Sequence, residues 1–315
     1  MSETKLLFAT DLHGGDTYFL KILSVAKSNK VNVLMMCGDL TGKAIVPIVK
    51  LDENLYVTNF FGIDYRMKKD ELPKLLNEIR RVGYYYYHCG RPEYEEFRAK
   101  PELVTELFDK LMRQTIENWL TKIDEILPKD MRVIMNPGND DTFAIDEVLQ
   151  SSKRVEYTLG RCVDLDDKHS VVGCEWVNPT PWDSPRECEE KELERRLRTE
   201  FQRAPSMENL VCDFHPPPYN TVLDLAPRLG KDMRPQFFMG TPMMDHVGSI
   251  SVSKVLKEYQ PKLALHGHIH ESAGVCNVKR TICINPGSAY VEGIMHGCLL
   301  TLTPDSVDHQ LIIGG

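Results

Sequence analysis

Two aspartates, an asparagine and four histidines stand where this sequence can most readily do chemistry. They are Asp11 and His13 in Asp11-Leu12-His13, Asp39 in Gly38-Asp39, Asn139 in Gly138-Asn139-Asp140, His215, and His268 and His270 in His266-Gly267-His268-Ile269-His270. Each cluster follows an apolar run that reads as a β-strand, and ligands of open α/β sheets bind beyond the carboxyl ends of the strands. Imidazole nitrogen and carboxylate oxygen suit divalent Mn, Fe, Co and Zn, and an amide oxygen can complete a shell. Seven such side chains, one of them bridging, would hold two ions and leave positions for water and phosphate. Two cations lower the pKa of a shared water and polarise phosphoryl oxygens, so the expected chemistry is in-line attack of metal-held hydroxide on phosphorus. No Ser, Thr or Cys nucleophile is required.

Taken singly these pieces say little. Asp-x-His is commonly a cap or a turn, Gly-Asp is weaker still, and His215 before Pro216-Pro217-Pro218 could simply end a strand. Gly-His-x-His carries more content. The glycines Gly38, Gly138 and Gly267 have a physical reason, because they let the backbone turn sharply at a strand end.

Together and in order, the blocks resemble the calcineurin-like metallophosphoesterase superfamily, whose signature runs D-x-H, G-D, G-N-H/D, H and G-H-x-H. The match extends from residue 11 to residue 270. The resemblance implies that Asp11, His13 and His270 hold one metal, that Asn139, His215 and His268 hold the other, and that Asp39 bridges them. It also implies an α/β fold of the four-layer αββα type, two mixed β-sheets flanked by helices. Manganese is the ion it favours, while Fe, Zn and Co fit the same donors.

One position departs from the commonest pattern. Many relatives carry His after the Asn of the third block, whereas this chain has Asp140 and then Asp141. An aspartate beside two cations is a poor proton donor at neutral pH. Leaving-group protonation is then expected from water or another histidine, and His246 is the best substitute in sequence. The candidate catalytic residues are Asp39, Asn139, Asp140 and His246. Arg186 is weighed as a phosphate clamp against a surface salt bridge, with the salt bridge favoured. The turn Asn285-Pro286-Gly287-Ser288 is similar to one found near the site in relatives, and His266 precedes the ligand block without belonging to it.

The elements that must position these residues follow from periodicity. Residues 6–9, a helical pattern over 18–29 and the run 31–37 make a β-α-β unit whose strands look buried on both faces. Strands are expected at 45–50 and 55–61, helices at 68–81 and 102–127, and a strand at 132–135. A short helix near 145–151, strands at 161–165 and 170–177, a helix at 187–202 and a strand at 210–214 come next. A helix at 251–259 and strands at 263–265, 281–284 and 297–302 complete the reading. Tyr84-Tyr85-Tyr86-Tyr87 reads as a packed hinge or subunit contact rather than a base-stacking platform, because few basic residues interleave with it. The expectation is a single domain over 1–315 with a hairpin and helical insert at about 43–130. A long connection at about 216–248 would, with the insert, wall the site.

Composition narrows the function. A net charge of -8 over 315 residues disfavours a long polyanion, so nucleic acid is an unlikely partner and a small phosphorylated or nucleotide substrate is expected. No apolar run approaches the roughly 18 residues of a membrane span. The N-terminus reads without a secretion signal, and the nine cysteines are scattered with no C-x-x-C pair, which suits a reducing cytoplasm. Cys37, Cys212 and Cys283 lie in apolar runs and read as small buried side chains. A homo-oligomer is left open. Two competing readings are a catalytically weak metal-binding scaffold of the same fold and a nuclease, which would need a basic track.

Overall fold

The computed structural model describes residues 3–314. Strand β1 (Thr4–Ala9) leads through helix α1 (Asp16–Ser28) to β2 (Val33–Cys37), and the two strands pair in parallel with Phe8 opposite Met35. Helix α1 buries Tyr18, Phe19, Ile22, Leu23 and Ala26, the i, i+3, i+4 stripe of an amphipathic helix.

The insert is more elaborate than a hairpin with helices. Strands β3 (Ile45–Lys50), β4 (Leu55–Phe60) and β5 (Ile63–Lys68), helix α2 (Leu72–Arg81) and strand β6 (Tyr85–Gly90) build a separate four-stranded sheet of order β5-β4-β3-β6. Ile48, Tyr56, Leu75 and Ile79 form its own small core. The helix expected from residue 68 starts at Leu72, because residues 63–68 pair with β4 as an edge strand. The strand alternates Ile63, Tyr65 and Met67 with Asp64, Arg66 and Lys68, and Tyr65 and Met67 pack against the small core, a period-2 signal that the sequence reading left unassigned. The tyrosine run is mostly strand rather than a hinge. Tyr85, Tyr86 and Tyr87 lie in β6, which pairs in parallel with β3.

Helix α3 (Arg91–Ala99) precedes α4 (Pro101–Ile126), which turns Met112, Ile116, Trp119 and Ile123 inward. Trp119 stacks on Phe19 of α1 at 4.3 Å and donates from Nε1 to Asp16 Oδ1 at 2.9 Å. This helix therefore covers the same sheet face as α1, though it lies in the sequence span assigned to the insert.

The second half runs through β7 (Arg132–Asn136), α5 (Asp146–Ser151), β8 (Val163–Asp164), β9 (Ser170–Cys174), α6 (Glu190–Arg203) and β10 (Leu210–Phe214). The long connection folds into two ribbons: β11 (Leu225–Pro227) pairs with β14 (Met244–His246), and β12 (Phe237–Phe238) with β13 (Thr241–Pro242). Helix α7 (Ile250–Tyr259), capped by the Ser249 hydroxyl, precedes β15 (Leu263–Leu265), β16 (Gly274–Val278), β17 (Thr281–Asn285), β18 (Met295–Leu302) and β19 (Val307–Gly314).

Two mixed sheets result, one of order β19-β18-β1-β2-β7 and one of order β16-β17-β15-β10-β9-β8. Strand parity sorts the core into layers. Leu7, Leu34 and Val133 face α1 and α4, while Leu6, Phe8, Val33, Met35 and Ile134 face the second sheet and meet Val171, Val211, Leu263 and Ile284. From the far side of that sheet, Val172, Cys212 and Ala264 pack on Leu193 and Leu197 of α6 and Val252 and Val255 of α7. The order is helices, sheet, sheet, helices: the four-layer αββα sandwich. No helix among the described residues is long and apolar enough to cross a membrane.

Candidate metal centre

Parallel pairing brings the carboxyl ends of β1, β2 and β7 to one edge of the first sheet and those of β10 and β15 to one edge of the second. All seven predicted ligands sit in the loops just beyond those ends. Backbone bonds lock the loops together: Asp11 N–H donates to Gly38 O (3.1 Å), His13 N–H to Asp39 O (2.8 Å) and Gly267 N–H to His215 O (3.0 Å).

The turns are tight enough to strain the chain. Asp11, His13, Asp39 and His268 all hold positive φ, at 54°, 44°, 37° and 68°, a region that costs side-chain-bearing residues energy and clusters at functional sites. Gly38 has φ +95°, and a Cβ there would lie 2.3 Å from His215 Nδ1; one on Gly138 would lie 2.2 Å from Asp39 N. These glycines let one ligand loop lie directly against the next.

The donor atoms converge. Asp11, His13 and His270 form one group and Asp39, His215 and His268 another, each with ligand atoms within 4.8 Å of one another. His13 Nε2 and His270 Nε2 are 3.0 Å apart, His215 Nε2 is 3.0 Å from Asn139 Oδ1, and Asp39 Oδ2 lies 3.6 Å from His13 Nε2 and 3.5 Å from His215 Nε2. Asp39 thus touches both groups, as a bridge must. The Asn139 amide is oriented by its nitrogen, which donates to Ser184 Oγ (2.8 Å) and Asp140 Oδ1 (2.9 Å) and leaves Oδ1 facing His215.

The charge states of His268, His13 and Asp11 suit cations, whereas His215 would have to give up a proton to a bound ion. Burial pushes His268 down to about 3 with help from His215, and burial, Lys43 and His270 hold His13 well below the ordinary imidazole value. Both are neutral donors with lone pairs available. Burial would raise Asp11, yet His270, His215 and His268 more than offset it and keep the carboxyl ionised. Burial would lower His215, but Asp39, Asp11 and Asp213 carry it up to about 9. A mixed N/O donor set with two carboxylates and oriented imidazoles fits a pair of first-row divalent ions.

Several residues beyond the seven have definite places. Asp141 is fully buried and accepts from Gly138 N (2.8 Å), Leu40 N (2.9 Å), Thr41 N (2.8 Å) and the Thr41 hydroxyl, stapling the second ligand loop to the third. Ser288 Oγ donates to Asp11 O at 2.8 Å, and Asn285 Nδ2 to Ile269 O at 2.9 Å, so the Asn-Pro-Gly-Ser turn braces the first and last loops. His266 is buried with Nδ1 on Phe214 O at 2.7 Å, outside the ligand groups as expected.

Arg186 is neither the surface salt bridge nor the phosphate clamp of the sequence reading. It is 1% exposed, donates to Asp141 O and Thr142 O, and pairs with Asp146 at 2.7 Å, which pins the loop carrying Asn139. His246 lies in β14 with Nδ1 2.7 Å from the buried Asp224 carboxylate, and its hydrogen bond is to none of the seven. Asp140 is close to the centre, its Oδ2 3.9 Å from His13 Nδ1, and is paired with Lys43 at 2.9 Å. Sequence reasoning passed over Lys43, whose signal was its position four residues beyond Asp39 in Gly38-Asp39-Leu40-Thr41-Gly42-Lys43.

Comparison with known proteins agrees with the fold. Residues 4–272 match the description of the calcineurin-like phosphoesterase family, and the chain belongs to that family. An uncharacterized protein of Methanocaldococcus jannaschii, MJ1162, is 31% identical over 158 residues; the match covers 50% of this chain and 64% of that protein's length. A solved crystal structure at 16% identity superposes over all of both chains with a TM-score of 0.60. The TT1561 protein of Thermus thermophilus, at 11% identity, covers 98% of this chain and 99% of its own with a TM-score of 0.50. At such identities the structural likeness speaks for the fold alone.

Proposed function

We propose that this protein is a binuclear metal-dependent phosphoesterase acting on small phosphate monoesters or diesters, nucleotides among them. The observation that supports this most is Asp39, whose carboxylate stands within 3.6 Å of imidazole nitrogens from both ligand groups. Asp11, His13 and His270 would hold one ion, Asn139, His215 and His268 the other, with Asp39 between them. Bound cations would activate water and polarise the phosphoryl group.

The protein's own contribution is positioning. Asp141, Arg186 and Ser184 hold the Asn139 loop, and Ser288 holds Asp11. His246, with Nδ1 taken by Asp224, is the candidate proton donor to the leaving group. Manganese is the first ion to try, and a cytoplasmic setting suits free cysteines such as Cys37, Cys212 and Cys283.

A panel of phosphomonoesters, cyclic nucleotides and dinucleotides, assayed with metal-reconstituted protein beside Asp39→Ala, tests the reading. Failure to bind metal, or full metal-dependent turnover by Asp39→Ala, would sink it.

A further inference from the structure

Lys43 stands beside the ligand cluster for a reason the seven ligands do not supply. Its Nζ is 2.9 Å from Asp140 Oδ2, and that oxygen is 3.9 Å from His13 Nδ1. The lysine side chain is 38% exposed and that of Asp140 24%, whereas His13 and Asp39 beneath them are buried. Asp39 is near enough to act on the lysine charge, and the Tyr290 ring packs 4.6 Å from that of His13.

The backbone under Lys43 is pinned. Gly42 N–H donates to the Tyr85 hydroxyl at 2.8 Å, and Thr41 is tied to Asp141 through both N–H and hydroxyl. Gly42 lies so close to Gly83 that a Cβ there would meet Gly83 O at 2.2 Å. A flexible lysine at an exposed rim ordinarily ranges freely. This one starts from a fixed point and ends on a carboxylate.

Electrostatics says what the pair does. A lone Asp140 carboxylate at the entrance to an anion site would repel substrate, and Lys43 cancels that charge. An ammonium has three N–H donors. Asp140 takes one and leaves others for a second anion.

We propose that Lys43, positioned by Asp140, contacts the phosphoryl group of the substrate and donates a hydrogen bond to one of its oxygens. The inference rests on the phosphoesterase reading and adds a specific anion contact to it.

Inorganic phosphate is the probe, titrated by calorimetry into the full chain loaded with manganese, with metal content measured by elemental analysis. Lys43→Met should keep wild-type metal content and bind phosphate about tenfold more weakly or worse, as expected for loss of a charge-assisted hydrogen bond, and Lys43→Arg should recover most of the affinity. Should Lys43→Met not fold, Lys43→Gln takes its place. Phosphate affinity within about twofold of wild type at full metal content overturns the proposal, as does loss of metal in place of phosphate affinity. A wild-type protein that shows this Lys43 dependence but hydrolyses none of the ester panel would sink the phosphoesterase reading and leave the contact standing.

Discussion

His13 Nε2 and His270 Nε2 lie 3.0 Å apart, although 257 residues separate them in the chain. At that distance one ring nitrogen can donate to the other, or both can face one cation. Asp11 Oδ1 completes the corner at 3.6 Å from His270 Nε2. The three side chains form a group that could hold an ion, which makes the metal the first quantity to measure.

Removing the bridge should therefore affect both sites. Asp39→Ala is expected to lose bound metal and to lower kcat/KM by about 1,000-fold or more, since each cation supplies several kcal/mol of transition-state stabilisation. Elemental analysis beside steady-state kinetics checks it. Chelation should lower the melting temperature of the wild-type protein and leave that of Asp39→Ala nearly unchanged.

Metal binding should compete with protons. His215 is carried up to about 9 by Asp39, Asp11 and Asp213 against the lowering effect of burial, so it is protonated at neutral pH when no cation is present. A ligand nitrogen must be unprotonated, so loading releases a proton and metal affinity rises as pH climbs toward 9. Calorimetry in buffers of different ionisation enthalpy reads the proton directly, and loading with no proton release would contradict it.

Asp141 gives a test of positioning without ligation. Asp141→Ala strands the buried N–H groups of Gly138, Leu40 and Thr41, which should cost about 3 kcal/mol of stability. Because two ligand loops lose their common staple, metal affinity should fall by about 10- to 100-fold. Urea unfolding and metal titration measure the two effects separately.

An acid-stability effect is expected at the join between the sheets. Thr4 Oγ1 of β1 donates to Asp166 Oδ2 at 2.6 Å, and the backbone of Lys168 and His169 donates to the same carboxylate. Burial would raise Asp166, but these bonds take it down to about 2 from an unfolded value near 3.8. A depressed carboxylate contributes stability that is present above the unfolded pKa and is lost as pH falls through 3.8 toward 2. Asp166→Asn should lower the urea midpoint at pH 7, and the gap from wild type should close over that window.

His246 is tested by the leaving group. If its imidazole donates the proton, His246→Ala should slow esters of poorly acidic alcohols far more than esters of acidic phenols. Equal slowing across the series would remove His246 from the reaction.

Much of the site was legible in the sequence because the ligand blocks sit at strand ends, and strand ends are local events. Apolar runs such as 6–9, 33–37 and 210–214 announce themselves, and the turn that follows each is where a polar residue stands out. Edge elements were harder. Strand β5 does alternate, Ile63, Tyr65 and Met67 with Asp64, Arg66 and Lys68, but its positions are half-buried at most, and β6 opens on a run of tyrosines that shows no alternation. Strands β16 and β19 were not anticipated for a related reason: their partly exposed positions dilute the apolar signal.

By itself, then, the sequence determined the identity and order of seven candidate ligands and most of the strands that carry them, because residue type and strand periodicity are properties of short segments. Tertiary structure decided what surrounds them. That Arg186 is buried against the Asn139 loop, that Asp141 joins two ligand loops, and that Lys43 meets Asp140 are consequences of backbone turns brought together from distant parts of the chain. Pairings of this kind depend on how loops from different strands pack at one sheet edge, and no local pattern of residues encodes that.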